Sequence, residues 1–319
     1  MNNFTEWSNQ QKRILIDSSM STGLEERGLK LNGKLWTAKA LKDHSDLIKD
    51  VHKSYFNAGS SMTTINTYQA SVSGLMKNAG YSHREARKLM KNAGYSHREA
   101  RKLIKKAFDV AKDAQKLSRN HPTWLAAGIG PYGAYLANGS EYTGNYHLTE
   151  NKYIQFHKER IEILVKAGVD VLLLETLPNF QEIKALVKFT KQFNIPSIVA
   201  CSMKDATHLA DGTNFKFVQS FLEKQSNVIA YGLNCTDPRI VTNALKAIIH
   251  NEPAHKDLIA FPNSGAHYNP KIKEWDNQGI SIEEFNKLVQ EWLNIGLKYI
   301  GGCCCMSEQQ TASINKHFF

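Results

Sequence analysis

Leu297-Lys298-Tyr299-Ile300-Gly301-Gly302-Cys303-Cys304-Cys305 carries the reading on which the fold turns. Its apolar approach reads as a strand, the two glycines mark the strand's end, and the cysteines fall just beyond it. Adjacent cysteines cannot pair with each other without strain, whereas two thiolates at a Gly-rich bend can turn toward one metal ion. The chain has five cysteines, and the other two are Cys201 and Cys235. Cys235 follows a second strand-like run, Val228-Ile229-Ala230-Tyr231-Gly232-Leu233-Asn234. One strand end with a single cysteine and another with two make a three-thiolate site in a fold that gathers strand ends at one place.

Working outward, strand patterns occur at 13–17, 61–69, 124–130, 169–175, 196–202, 228–234, 258–262 and 297–300. Helical patterns stand between most of them, over about 36–57, 96–117, 149–167, 180–192, 214–224, 239–249 and 281–295. Such alternation suits either a doubly wound open sheet or an eight-stranded β/α barrel of the TIM type. Closure is favoured by the polar residues that recur at strand C-terminal ends: Asp17, Thr67, Glu175, Cys235, Asn263 and Cys303. An open sheet would hold most of those ends away from one crevice, whereas a barrel turns all of them to one mouth. The expectation is therefore one α/β domain over 1–319. Cys201, inside its strand pattern, reads as core or barrel lining.

The unit from Met76 to Leu89 is repeated word for word from Met90 to Leu103, a 14-residue tandem duplication after the second strand. Ser82 with Glu85 and Ser96 with Glu99 are capping boxes, each able to start a helix. The second copy runs on into unique helical sequence, so the first reads as the added one, with a short helix over about 82–92. Two copies cannot build a stacked array, which excludes a solenoid.

The net charge of +10 would point to nucleic acid if the basic residues formed a face. Each duplicated unit contributes +3, so the excess is partly a product of the duplication, and no nucleic-acid partner is expected. There is no signal-like segment at the start and no apolar run of membrane-spanning length, so a cytoplasmic protein without a membrane partner is expected. In a reducing compartment cysteines serve metals or catalysis more often than disulfides. Three thiolates around a tetrahedral dication leave one exchangeable position. Their surplus negative charge makes the ion a poor activator of water and a good host for a substrate thiol. Soft ligands of this kind select Zn2+ over magnesium or calcium.

The chain resembles the homocysteine S-methyltransferase family over nearly its whole length, most closely the zinc enzymes that use S-methylmethionine or S-adenosylmethionine. The resemblance rests on Asp17, the stretch from Thr64 to Ala70, Gly130-Pro131-Tyr132-Gly133-Ala134-Tyr135, Glu175-Thr176-Leu177-Pro178-Asn179, Gly232-Leu233-Asn234-Cys235, Pro262-Asn263-Ser264-Gly265 and Gly301-Gly302-Cys303-Cys304. It implies a homocysteine-binding barrel with zinc held by Cys235, Cys303 and Cys304, and methyl transfer to L-homocysteine giving L-methionine. It also implies carboxylates at Asp17 and Glu175 around the substrate's ammonium group. Ser18, Thr67 and Asn234 are further homocysteine-binding candidates, and Tyr132, Tyr135 and Tyr142 either cover the donor or pack a long loop. A monomer is expected.

Departures from the family pattern are Ser18 and Ser19 in place of glycines, Gly23 in place of an acid, and an additional thiol at Cys305. The alternatives are a selenocysteine or betaine-type methyltransferase on the same barrel, and a non-enzymatic zinc-binding barrel.

Overall fold

The computed structural model describes residues 3–31, 35–78, 95–119, 122–251, 254–266, 268–269, 274–276 and 279–319. Eight parallel strands run in sequence: β1 (Ile14–Leu15), β2 (Met62–Ile65), β3 (Trp124–Ile129), β4 (Val171–Leu177), β5 (Ser197–Cys201), β6 (Val228–Asn234), β7 (Asp257–Phe261) and β8 (Tyr299–Ile300). Neighbours pair in that order, and β8 lies between β7 and β1. The ring closes between β1 and β2 through the parallel bridge of Ile16 with Met62. There Ser61 N–H donates to Leu15 O at 2.8 Å and Asp17 N–H to Met62 O at 3.1 Å. An open doubly wound sheet would leave two edges unpaired, so this closure establishes the TIM barrel.

Each strand is followed by an outer helix: α1 (Ser45–Asn57), α2 (His97–Lys116), α3 (Glu150–Ala167), α4 (Phe180–Thr190), α5 (Phe215–Glu223), α6 (Pro238–Asn251), α7 (Ile282–Ile295) and α8 (Glu308–Phe318). In α2, Ala100, Ile104, Ala107, Ala111 and Ala114 are fully buried, the recurrence by three and four that lays one face on the strands. The barrel interior is filled by alternate residues along the strands, among them Ile16, Met62, Ala126, Leu173, Ile198 and Ile259. A second, larger apolar layer lies between strands and helices.

Among the described residues, two helices of eight residues or more were not foreseen. Asn3–Gln10 plugs the end of the barrel away from the strand C-termini: Phe4 is fully buried, its ring 5.5 Å from that of Trp124, and Ser8 Oγ lies 2.5 Å from Tyr299 OH. Its short polar stretch has too few turns for a readable period. The other is α8, which begins with a capping box of Ser307 and Gln310. Elsewhere the expected helix over 36–57 is broken at His44, where ψ is 34°, and the strand expected over 61–69 stops at Ile65. Gly23 stands where a Cβ would come within 2.7 Å of Val51 Cγ1, so close packing on α1 leaves no room for an acid there.

The capping box of Ser96 and Glu99 starts α2 as expected. The one expected from Ser82 and Glu85, and the added helix over 82–92, lie outside the described residues.

Candidate active site

The two cysteine-bearing strand ends meet at the barrel mouth. At the end of β6 the backbone turns sharply: Cys235 has φ of +46°, an arrangement that non-glycine residues adopt at a cost of about 1–3 kcal/mol. Asn263, after β7, braces this turn with an Nδ2–H donated to Cys235 O at 3.4 Å. At the end of β8 a Cβ on Gly301 would stand 2.3 Å from Ile16 Cγ1, and one on Gly302 would stand 2.6 Å from Ser18 Oγ. The two glycines are thus what lets the chain pass β1 closely enough to deliver Cys303 and Cys304.

The three Sγ atoms of Cys235, Cys303 and Cys304 lie within 4.8 Å of one another, and those of Cys235 and Cys304 are 3.4 Å apart. A tetrahedral zinc ion with Zn–S bonds of about 2.3 Å needs sulfurs roughly 3.8 Å apart, so the trio fits the ion with small adjustments. Hydrogen bonding among the three thiols holds Cys235 well below its ordinary range and Cys303 and Cys304 well above theirs. A bound dication would favour ionising all three thiols. Tyr142 OH lies 3.7 Å from Cys235 Sγ and 4.0 Å from Cys304 Sγ. Cys305 stands outside the trio, in a residue of φ +61°, and burial pushes its thiol up to about 12. Cys201 is fully buried in β5.

Asp17 and Glu175 share one wall. Thr64 donates to Asp17 twice, from its N–H at 2.8 Å and its Oγ1 at 3.2 Å. A Cβ on Gly128 would come within 2.6 Å of Glu175 Oε1 and 2.8 Å of Thr64 Cγ2, so the absent side chain is what admits Glu175 beside Thr64. Burial pushes Asp17 up to about 8 against the pull of the Thr64 bonds. Burial first, then the negative charges of Asp17 and Cys235, push Glu175 up to about 8, with Arg160 pulling the other way. Arg160 is itself buried and donates to Tyr68 O at 2.7 Å and Gly130 O at 2.8 Å, tying the ends of β2 and β3 together.

Of the other expected residues, Ser18 lines the mouth and its Oγ lies 2.8 Å from Thr311 Oγ1 of α8. Thr67 turns away from the cavity and donates to Gly128 O at 2.9 Å. Asn234 is fully buried behind the wall, accepting from Thr176 N–H at 2.7 Å and donating to Thr176 Oγ1 at 2.8 Å. Thr176 has φ of +54°, so Asn234 fixes the strained turn next to Glu175. Tyr132 and Tyr135 pack on Phe156, with centroids 5.1 and 5.3 Å away, leaving Tyr142 as the one of the three that faces the thiols.

The cavity that these groups enclose measures about 170 Å³. Its walls include residues not singled out from sequence: Glu141 and the rings of Trp36, Tyr68 and Trp275. No Lys, Arg or His is among the described lining residues, although the chain carries a net charge of +10. Tyr68 was within reach, since it adjoins Thr67 in the Thr64 to Ala70 stretch. Trp36 opens the helical pattern read over 36–57 and Trp275 lies in a stretch without periodic pattern, so neither gave a signal that it faces a site.

A family model described as homocysteine S-methyltransferase matches residues 14–318. The chain is 36% identical over 292 residues to homocysteine S-methyltransferase YbgG of Bacillus subtilis, covering 91% of this chain and 90% of that protein. It is 33% identical over 307 residues to selenocysteine Se-methyltransferase of Brassica oleracea var. italica, covering 95% and 88%. Among solved structures it is similar to the metallated form of the homocysteine methyltransferase MmuM from Escherichia coli, with a TM-score of 0.83, 31% identity and 99% of both chains covered.

Proposed function

The chain belongs to the homocysteine S-methyltransferase family, and on that premise we propose that it moves a methyl group from S-methylmethionine or S-adenosylmethionine to L-homocysteine, giving L-methionine. The observation that carries this reading is the cavity itself: three convergent thiols and buried carboxylates, with no basic side chain among its described lining. Such a pocket repels anions and suits a thiol acceptor together with cationic groups.

Cys235, Cys303 and Cys304 would hold Zn2+, whose Lewis acidity when bound keeps an acceptor thiol ionised at neutral pH. Asp17 and Glu175 take the homocysteine ammonium group, a charge that in a dry pocket needs opposite charge beside it. Ser18 lines their side of the mouth, while Asn234 and Thr67 hold the strand ends that carry them. The acceptor sulfur then attacks the methyl carbon of a sulfonium. A new S–C bond forms, the old one breaks, and its electron pair stays on the leaving thioether. The thiol proton is lost to solvent beforehand. A neutral leaving group needs no general acid, so the protein's part is alignment and exclusion of water.

A selenol acceptor is the second reading, favoured by the similarity to the selenocysteine enzyme. No described helix is long and apolar enough to cross a membrane, and we place this single-domain enzyme in the cytoplasm, acting as a monomer. The test pairs zinc analysis of the purified protein with product formation from homocysteine and from selenocysteine, using each sulfonium donor and betaine. About one zinc per chain and methionine formed from a sulfonium donor are expected. Zinc without turnover on any donor would make the protein a binding barrel, and faster turnover of selenocysteine would install the second reading.

A further inference from the structure

Glu141 belongs to none of the roles assigned so far. It lies in the turn Ser140–Tyr142 after β3, is 8% exposed, and lines the cavity. Its Oε2 has no hydrogen-bond partner among the described residues. The turn is tied to the end of β5 by Ser202, whose Oγ–H donates to Glu141 O at 2.9 Å. Glu141 is therefore held at the mouth in the connection after β3, next to Tyr142 in the chain, and takes no part in the Thr64 hydrogen bonds that hold Asp17.

A buried carboxylate without a partner is costly and is retained where a ligand completes it. The methyl transfer proposed above brings two amino-acid ligands together, each with its own ammonium group, whereas Asp17 and Glu175 form one station. We propose that Glu141 is the second station, binding the α-ammonium group of the methyl donor. A sulfonium carries no N–H and cannot satisfy Oε2, whereas an ammonium group donates to it and matches its charge. The sulfonium itself is left to the aromatic faces: Tyr68 and Tyr142 line the same cavity, backed edge-to-face by Trp36 and Trp275 at 6.3 Å in each case. In this arrangement the donor's ammonium has a carboxylate of its own, distinct from the pair that takes the acceptor's. That leaves the two sulfurs to meet over the thiol trio.

This inference rests on the methyltransferase reading, and its test separates the two. Zinc-loaded wild type and Glu141→Gln are compared with S-methylmethionine, which carries an α-ammonium, and with trimethylsulfonium, which carries none. Binding of each sulfonium is also measured by calorimetry without acceptor. Glu141→Gln is expected to weaken S-methylmethionine, in both KM and Kd, by roughly 10- to 100-fold. Homocysteine KM, zinc content and the response to trimethylsulfonium should stay within about twofold of wild type. An unchanged S-methylmethionine Kd, an equal loss for trimethylsulfonium, or a loss that falls on homocysteine would overturn the assignment while the methyltransferase reading stands. A wild type that turns over no sulfonium would instead remove that reading. Should Glu141→Gln not fold, Glu141→Met, uncharged and of similar length, carries the same comparison.

Discussion

Replacing Asp17 by Asn separates what this carboxylate costs the fold from what it contributes to the substrate. Burial raises its pKa from 3.8 to about 8, so the native state keeps a proton that the unfolded chain releases. Stability is then fully present below about 4 and is lost as pH rises toward 8, by about 1.4 kcal/mol for each pH unit in that window. At about pH 7 the ligand-free wild type gives up roughly 4 kcal/mol in this way. Asparagine does not titrate, and it can keep both contacts: its Oδ1 accepts the Thr64 N–H while its Nδ2–H donates to a rotated Thr64 Oγ1. The gap in stability between Asp17→Asn and wild type should therefore open by roughly 3 kcal/mol between about pH 5 and about pH 7.5. For a chain of this length that is a relative gain in Tm of roughly 5 °C. Calorimetry of both proteins at matched zinc content reads it directly, and homocysteine KM in the variant should rise by about 10- to 100-fold. A Tm gap that stays flat or narrows as pH rises would refute the buried, protonated carboxyl, and an unchanged homocysteine KM would refute its role as an ammonium partner.

Cys303→Ser and Cys304→Ser should each remove most of the zinc and nearly all activity, because either change leaves two soft ligands. Cys305→Ser and Cys201→Ser should retain both, and metal analysis beside a methionine assay checks all four. Asn234→Ala withdraws two buried hydrogen bonds from the Thr176 turn, and a loss of about 2–4 kcal/mol in urea unfolding is expected, with a higher homocysteine KM. Stability within experimental error of wild type would show that the turn holds itself. Deleting Met76 through Leu89 should leave a folded protein of similar zinc content and activity, because added loop length costs entropy only slowly. A deletion variant that unfolds, or that binds zinc without turnover, would make the duplicate part of the working structure.

Strand and helix periodicity reads locally, and so the alternation of units was legible residue by residue. The cysteine trio was legible for a different reason. Thiols placed just past strand ends have one place to converge once those ends meet, and the glycines before Cys303 announce the bend. Asp17 and Glu175 were found in the same way, as charges at the ends of apolar runs. Closure of the ring was read only indirectly, from the polar strand ends, because the contact that makes it is a single bridge between Ile16 and Met62, and a pairing between residues so far apart leaves no local pattern. Side-chain direction also escaped the sequence. Thr67 and Asn234 sit at strand ends as expected, yet rotamer and turn geometry aim them at Gly128 and Thr176. The cavity's remaining walls, Glu141, Trp36 and Trp275, come from three connections far apart in the chain. Only packing on the closed barrel brings them together, because a loop residue's neighbours are set by the scaffold beneath it and not by its place in the sequence.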